Sequence, residues 1–181
     1  MLNPIPSEVD VAVIGAGSAG LPAFRAAREH TDRVILIERG PHGTTCARVG
    51  CMPSKLLIAA AEAAHGMEIA PGFGIHPGSI SIDGEAVMER VRRERDRFVG
   101  FVLDGVDRID SEQKISGEAR FVEDSRLEIG NSQVRAGRVV IASGTSPAIP
   151  DFLEEVRDRI SVNDDVFEWK TLPESVAVFG A

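Results

Sequence analysis

Short apolar runs open the chain, and a three-or-four-residue apolar repeat takes over in its middle. Residues 9–14, apolar except for Asp10, end in glycine and read as a strand buried on both faces, the pattern of a parallel sheet. Residues 18–30 read as a helix whose small residues Ala19, Ala23, Ala26 and Ala27 permit close packing on that strand. Residues 34–37 form a second buried strand closed by Glu38, which completes a strand–helix–strand unit. Residues 39–50 are a glycine- and threonine-rich loop. A helix then runs from Cys51 to about His65, with Pro53 in its first turn, where proline is tolerated. Pro71 to Gly78 breaks the chain.

Asp83 is placed to cap a long helix on which Val87, Val91, Phe98, Val102, Val106 and Ile109 recur at helical spacing. Residues 114–121, 126–129 and 134–143 read as strands of a mainly antiparallel stretch, and 156–172 as a polar connection. Residues 176–179 are again a buried-strand run. The expected fold class is α/β. Its parallel sheet carries helices and a small antiparallel meander, and it is incomplete at the C-terminal side. The expected division is 1–150, 151–175 and 176–181.

Charge narrows the partners. The net charge of −8 opposes nonspecific binding to nucleic acid or an anionic membrane. The sign-alternating run 90–97 reads as a solvated helix face rather than a nucleic-acid patch. The first ten residues lack the basic start and apolar run of a signal peptide, and no apolar stretch is long enough to span a bilayer; a cytoplasmic protein is expected.

The chemistry concentrates in two motifs. Gly15-Ala-Gly17-Ser18-Ala19-Gly20 fits G-x-G-x-x-G between a strand and a helix. One glycine makes the sharp turn, one lets backbone approach a pyrophosphate, and one lets helix and strand pack closely. The helix start offers N–H groups and positive dipole to phosphates. Glu38, at the end of the next strand, can accept hydrogen bonds from ribose hydroxyls. This pattern does not separate FAD from NAD(P).

The second motif is Gly43-Thr44-Thr45-Cys46-Ala47-Arg48-Val49-Gly50-Cys51-Met52-Pro53-Ser54-Lys55, which holds both cysteines of the chain. Two close cysteines are open to a metal or a redox reading. Residues five apart on an ideal helix point roughly 140° apart, so a disulfide would require the backbone to leave helical geometry, as Gly50 allows. Cys51 opens a helix, whose positive end favours thiolate, with Lys55 one turn on. Against zinc, C-x4-C is not a usual spacing, although His42 and His65 are near in sequence. A purely structural disulfide would close a very short loop and constrain little.

Together with Ala142-Ser143-Gly144, these motifs resemble the class I pyridine nucleotide–disulfide oxidoreductases, and most of all dihydrolipoamide dehydrogenase, across nearly the whole chain. The resemblance implies a Rossmann-like FAD/NAD(P)-binding domain in which Gly15, Gly17 and Gly20 hold the FAD pyrophosphate, Ser18 and Ala19 also bind the cofactor, and Glu38 holds its ribose. It also places Arg39, Thr45, Ala119, Ser143 and Gly144 among the FAD-binding positions. Cys51 would lie against the flavin, Cys46 would exchange with substrate, and Lys55 would tune the flavin edge. Electrons would pass between a small-molecule or lipoyl-carrier dithiol, the cysteine pair, FAD and NAD or NADP, in a homodimer.

Arg48 stands where dihydrolipoamide dehydrogenases commonly have asparagine, and Gly43-Thr44 replaces the more usual Gly-Gly. These departures open glutathione or another disulfide as substrate, and the lack of further cysteines weighs against a mercuric reductase with relay thiols. A non-catalytic FAD-binding module is the remaining alternative. The run 176–181 resembles the start of a second dinucleotide unit, so the chain is expected to be a fragment, inactive by itself.

Overall fold

The computed structural model describes residues 5–180. Two compact units are present, one of residues up to Cys46 with Val99–Ser146, the other of Ala47–Phe98 with the residues from Pro147 onward.

The first unit is built on six strands: β1 (Glu8–Ile14), β2 (Val34–Glu38), β3 (Lys114–Ser116), β4 (Ala119–Glu123), β5 (Arg126–Ile129) and β6 (Ser132–Ile141). Their order across the sheet is β3-β2-β1-β6-β5-β4. β1 runs parallel to both β2 and β6, and β3 is parallel to β2. β4, β5 and the start of β6 form an antiparallel meander. The apolar runs are buried on both faces, as expected of parallel strands. In β2, Ile35 and Ile37 face one core while Val34 and Leu36 face the other.

The first core is closed by Leu127, Ile129, Val134 and Ala136, so the meander folds back over that face of the sheet. The second core is closed by Leu21 and Phe24 of α1 (Gly20–Arg28) and by Val106, in the last turns of a long helix, Gly84–Asp107.

Two strand expectations need correction. Residues 114–121 are not one antiparallel strand: the chain breaks at Gly117, and the first half joins the parallel sheet. Gly117 donates its N–H to the Glu38 carbonyl at 2.9 Å, and a Cβ there would meet Ile129 at 2.8 Å. A two-residue alternation cannot reveal such a turn. Residues 176–179 form no strand, and Val178 and Phe179 are exposed. An apolar run becomes a strand only beside another, and none of the described residues pairs with it.

The second unit contains α2 (Thr45–Val49, which begins two residues before the unit boundary), α3 (Cys51–Ile69), the first part of α4 (Gly84–Asp107) and α5 (Asn163–Val166). Residues 45–49, expected to be loop, are helical, and Gly50 (φ −131°, ψ −116°) breaks the chain between them and the expected helix at Cys51. α3 runs past His65 until Pro71 and the left-handed Gly74 end it. The Asp83 carboxylate accepts the Ala86 N–H at 3.0 Å, so the expected cap on α4 is present.

Arg95 of α4 is held by Asp96 and Glu168. Burial works to lower its pKa, but hydrogen bonds and charge from these two acids raise it above the ordinary arginine value. No described helix is long and apolar enough to cross a membrane.

Candidate functional site

The carboxyl ends of β1, β2, β3 and β6 bring most of the sequence-predicted positions together in the first unit. This is the edge at which open parallel sheets bind ligands, where strand order reverses around β1. Gly15 leaves β1 at φ +101°, and its N–H donates to the Ile37 carbonyl at 2.7 Å. A Cβ at Gly15 would lie 2.2 Å from the Ala142 carbonyl oxygen, and one at Gly20 would lie 1.7 Å from the Gly15 carbonyl oxygen. Those two glycines are therefore required by packing. Gly17 is different: a Cβ there would meet nothing within 4 Å. Its side faces open space, as a residue under a pyrophosphate must. α1 starts without a side-chain cap; the Leu21 N–H donates to the Gly17 carbonyl at 3.1 Å and Pro22 has no N–H, so the first turn offers an anion mainly the positive end of its dipole.

Glu38 has a role that the sequence did not disclose. Its Oε2 accepts the Ala16 N–H at 2.7 Å and its Oε1 accepts the Gly40 N–H at 2.8 Å. One carboxylate thus ties the glycine turn to the loop after β2. Each oxygen keeps a second lone pair that a ribose hydroxyl can use.

Arg39 lies 3.5 Å from Glu118, an exposed pair of small energetic weight. That contact and the Gly117–Glu38 bond bring the Ala119 segment to the same edge. Ser143 and Gly144 follow the end of β6, beside the Gly15 turn. Ser18 and Ala19 are exposed on the turn itself.

The cysteine segment is a separate matter. Thr45 is exposed and Cys46 half-buried on α2; Cys51 and Lys55 are exposed on the first turns of α3. Ser54 Oγ donates to the Cys51 carbonyl at 3.0 Å, and the Ser54 N–H donates to Gly50 at 3.1 Å, which fixes the helix start. Among the described residues no group of three or more His, Cys, Asp or Glu side chains is placed to hold a metal.

Two features were missed. His42, noted only as a distant metal candidate, buries Nδ1 with no hydrogen-bond partner among the described residues. Thr44 sits at φ +60°, a left-handed backbone that β-branched residues rarely adopt. The Gly-Gly to Gly-Thr departure was the available signal. Such a residue carries about 1–3 kcal/mol of strain, against about 0.5–1 kcal/mol of extra chain entropy that glycine loses on folding. Thr44→Gly is expected to raise unfolding free energy by about 1 kcal/mol, read from urea denaturation; an unchanged midpoint would count against strain at this position.

Comparison with known proteins agrees with this architecture. The family described as pyridine nucleotide-disulphide oxidoreductase matches residues 9–181. The chain belongs to that family. The mercuric reductase of Streptomyces lividans is 34% identical over 183 residues, covering 94% of this chain and 37% of that protein. The glutathione reductase of Burkholderia cepacia is 31% identical over 173 residues, covering 96% of this chain and 38% of that protein.

Among solved structures, the Cu(II) complex of the HOCl-induced flavoprotein disulfide reductase RclA from Escherichia coli is similar with a TM-score of 0.70. Its sequence identity is 20%, covering 91% of this chain and 34% of that one. The fold is thus the Rossmann-like FAD-binding fold of disulfide reductases, in part. The chain spans well under half the length of these relatives.

Proposed function

We propose that these residues form the FAD-binding wall and the redox-cysteine segment of a flavoprotein that exchanges electrons between a dithiol or disulfide, Cys46 and Cys51, FAD and NAD(P). The observation that carries the reading is the glycine turn. Gly15 and Gly20 are closed by backbone, Gly17 is open, and Glu38 braces the turn from β2.

The residues fit the cofactor. The open turn at Gly17 and the positive end of α1 would take the pyrophosphate, Glu38 the ribose, and the Ala119 segment the adenine. FAD, when bound, would accept the electron pair that a dithiol gives up. The chain's own part is thiol chemistry. With a disulfide substrate, one cysteine thiolate attacks one sulfur and breaks the substrate S–S bond; the second cysteine thiolate then displaces the sulfur still bound in the mixed disulfide and joins Cys46 to Cys51, and a dithiol substrate runs the same exchange in reverse. Lys55, four residues after Cys51 on α3, adds positive charge on the same helix face.

Dihydrolipoamide or a lipoyl carrier is the substrate the family resemblance suggests, with glutathione-type disulfides as the alternative. The working protein is proposed to be a cytoplasmic homodimer, on the same resemblance. A second reading, reduction of a metal ion held by the two thiolates, is supported by the named mercuric reductases.

FAD titrated into the chain is expected to raise its melting temperature by mass action. Gly17→Ala should abolish that rise while leaving the unliganded melting temperature in place. A chain that melts natively yet ignores FAD at any concentration would overturn the cofactor assignment.

A further inference from the structure

We propose that Arg48 selects the substrate of the cysteine pair, favouring disulfides that carry a carboxylate or similar anion beside their sulfurs. The inference rests on the redox reading above and names the substrate class for it.

Arg48 is half-buried on α2, yet it makes no ion pair or hydrogen bond with any described residue. The chain holds 28 acidic and 20 basic residues, so carboxylates to pair with are plentiful. Arg28, Arg33, Arg39, Arg95, Arg120 and Arg126 all have such partners. From Arg39 to Ala61 there is no Asp or Glu; the charged side chains are Arg39, Arg48 and Lys55. In a protein of net charge −8, the segment around both sulfurs is free of acids and carries positive charge. A guanidinium partly removed from water and left unpaired costs free energy that an incoming anion would offset.

The covalent tether bounds the separation. Arg48 follows Cys46 by two residues and precedes Cys51 by three. Even a fully extended chain would keep the Arg48 and Cys51 Cα atoms within about 11 Å. The arginine side chain is long enough to meet a group carried next to an attacked sulfur. The planar guanidinium matches a carboxylate by two parallel hydrogen bonds, which a lysine ammonium cannot reproduce. A neutral disulfide gains nothing from it.

The reaction used to read this is balanced within the chain. In the chemically reduced protein, a cysteine thiolate attacks one sulfur of an aromatic disulfide. The S–S bond breaks, one aryl thiolate leaves with the electron pair, and a mixed disulfide forms. The second cysteine thiolate displaces the other aryl thiolate and joins Cys46 to Cys51. The two cysteines lose two electrons and the aryl disulfide gains them; the thiol protons pass to solvent.

The experiment compares rates for the dianionic 5,5′-dithiobis(2-nitrobenzoate) and the neutral 4,4′-dithiodipyridine, each divided by its rate with a neutral cysteine amide. Wild type is expected to favour the dianion by about threefold to tenfold, the range of one charge acting over several ångströms near a protein surface. The preference should fall in 1 M salt, where the Debye length is about 3 Å. Arg48→Asn should abolish it; Arg48→Lys should keep part of it. Equal slowing of both probes in Arg48→Asn, or a wild-type ratio that ignores salt, would overturn the proposal.

The wild-type salt series stands even where a variant misfolds. Mass spectrometry separates the two readings. Aryl groups retained on both sulfurs would refute the redox pair while leaving the charge preference measured.

Discussion

A single methyl group at position 20 is expected to remove much of this protein's stability. The Gly20 Cβ would lie 1.7 Å from the Gly15 carbonyl oxygen and 2.8 Å from its carbon. Both are backbone atoms of a turn that is itself wedged against Ala142, so no side chain can rotate away. Overpacking of this kind costs about 3 kcal/mol or more when backbone must move, a large share of the about 5–15 kcal/mol available to a domain. Thermal unfolding followed by circular dichroism should show Gly20→Ala melting about 6–12 °C below wild type. Gly17→Ala, with nothing within 4 Å, should melt with wild type. If the two variants melt alike, the division of labour among the glycines is wrong.

The second large effect is expected at Glu38. Its carboxylate accepts from the Ala16 and Gly40 N–H groups, so the residue acts on the fold before any nucleotide arrives. Glu38→Gln places an amide NH2 against one of those N–H donors, which loses a charge-assisted bond and leaves two donors facing each other. The expected loss is about 2–3 kcal/mol of unfolding free energy, together with weaker FAD binding. Urea denaturation and an FAD titration on the same sample measure both. Weakened FAD binding with an unshifted urea midpoint would mean that Glu38 serves the ligand alone.

Much of this was legible in the sequence because the signals were local. β1 and β2 announced themselves as apolar runs, and both bury side chains on two faces. Asp83 as a cap and Gly50 as a break follow from what one residue does to its neighbours. What stayed hidden depends on distant partners. Nothing in Gly15 tells that Ala142 lies against it, and nothing in Glu38 tells that it holds Ala16.

The helix at Thr45–Val49 lies in a segment whose glycines and threonines argue for loop, and the rest of the fold overrode that preference. The opposite failure is at residues 176–179, where a strong strand pattern finds no strand beside it. The turn between β1 and α1 was therefore legible as a motif, whereas its bracing was visible only once the strands were in place.

The union of β1 with β6 also dictates when the cradle can exist. Gly15 leaves the ribosome early, yet the carbonyl it rests on belongs to Ala142, more than a hundred residues later. Parallel pairing over so long an interval is slow to nucleate, because the intervening loop must be closed first. A nascent chain thus carries its nucleotide motif in an unshaped state until β6 has been made. Acquisition of flavin colour would then serve as a timer for completion of the sheet.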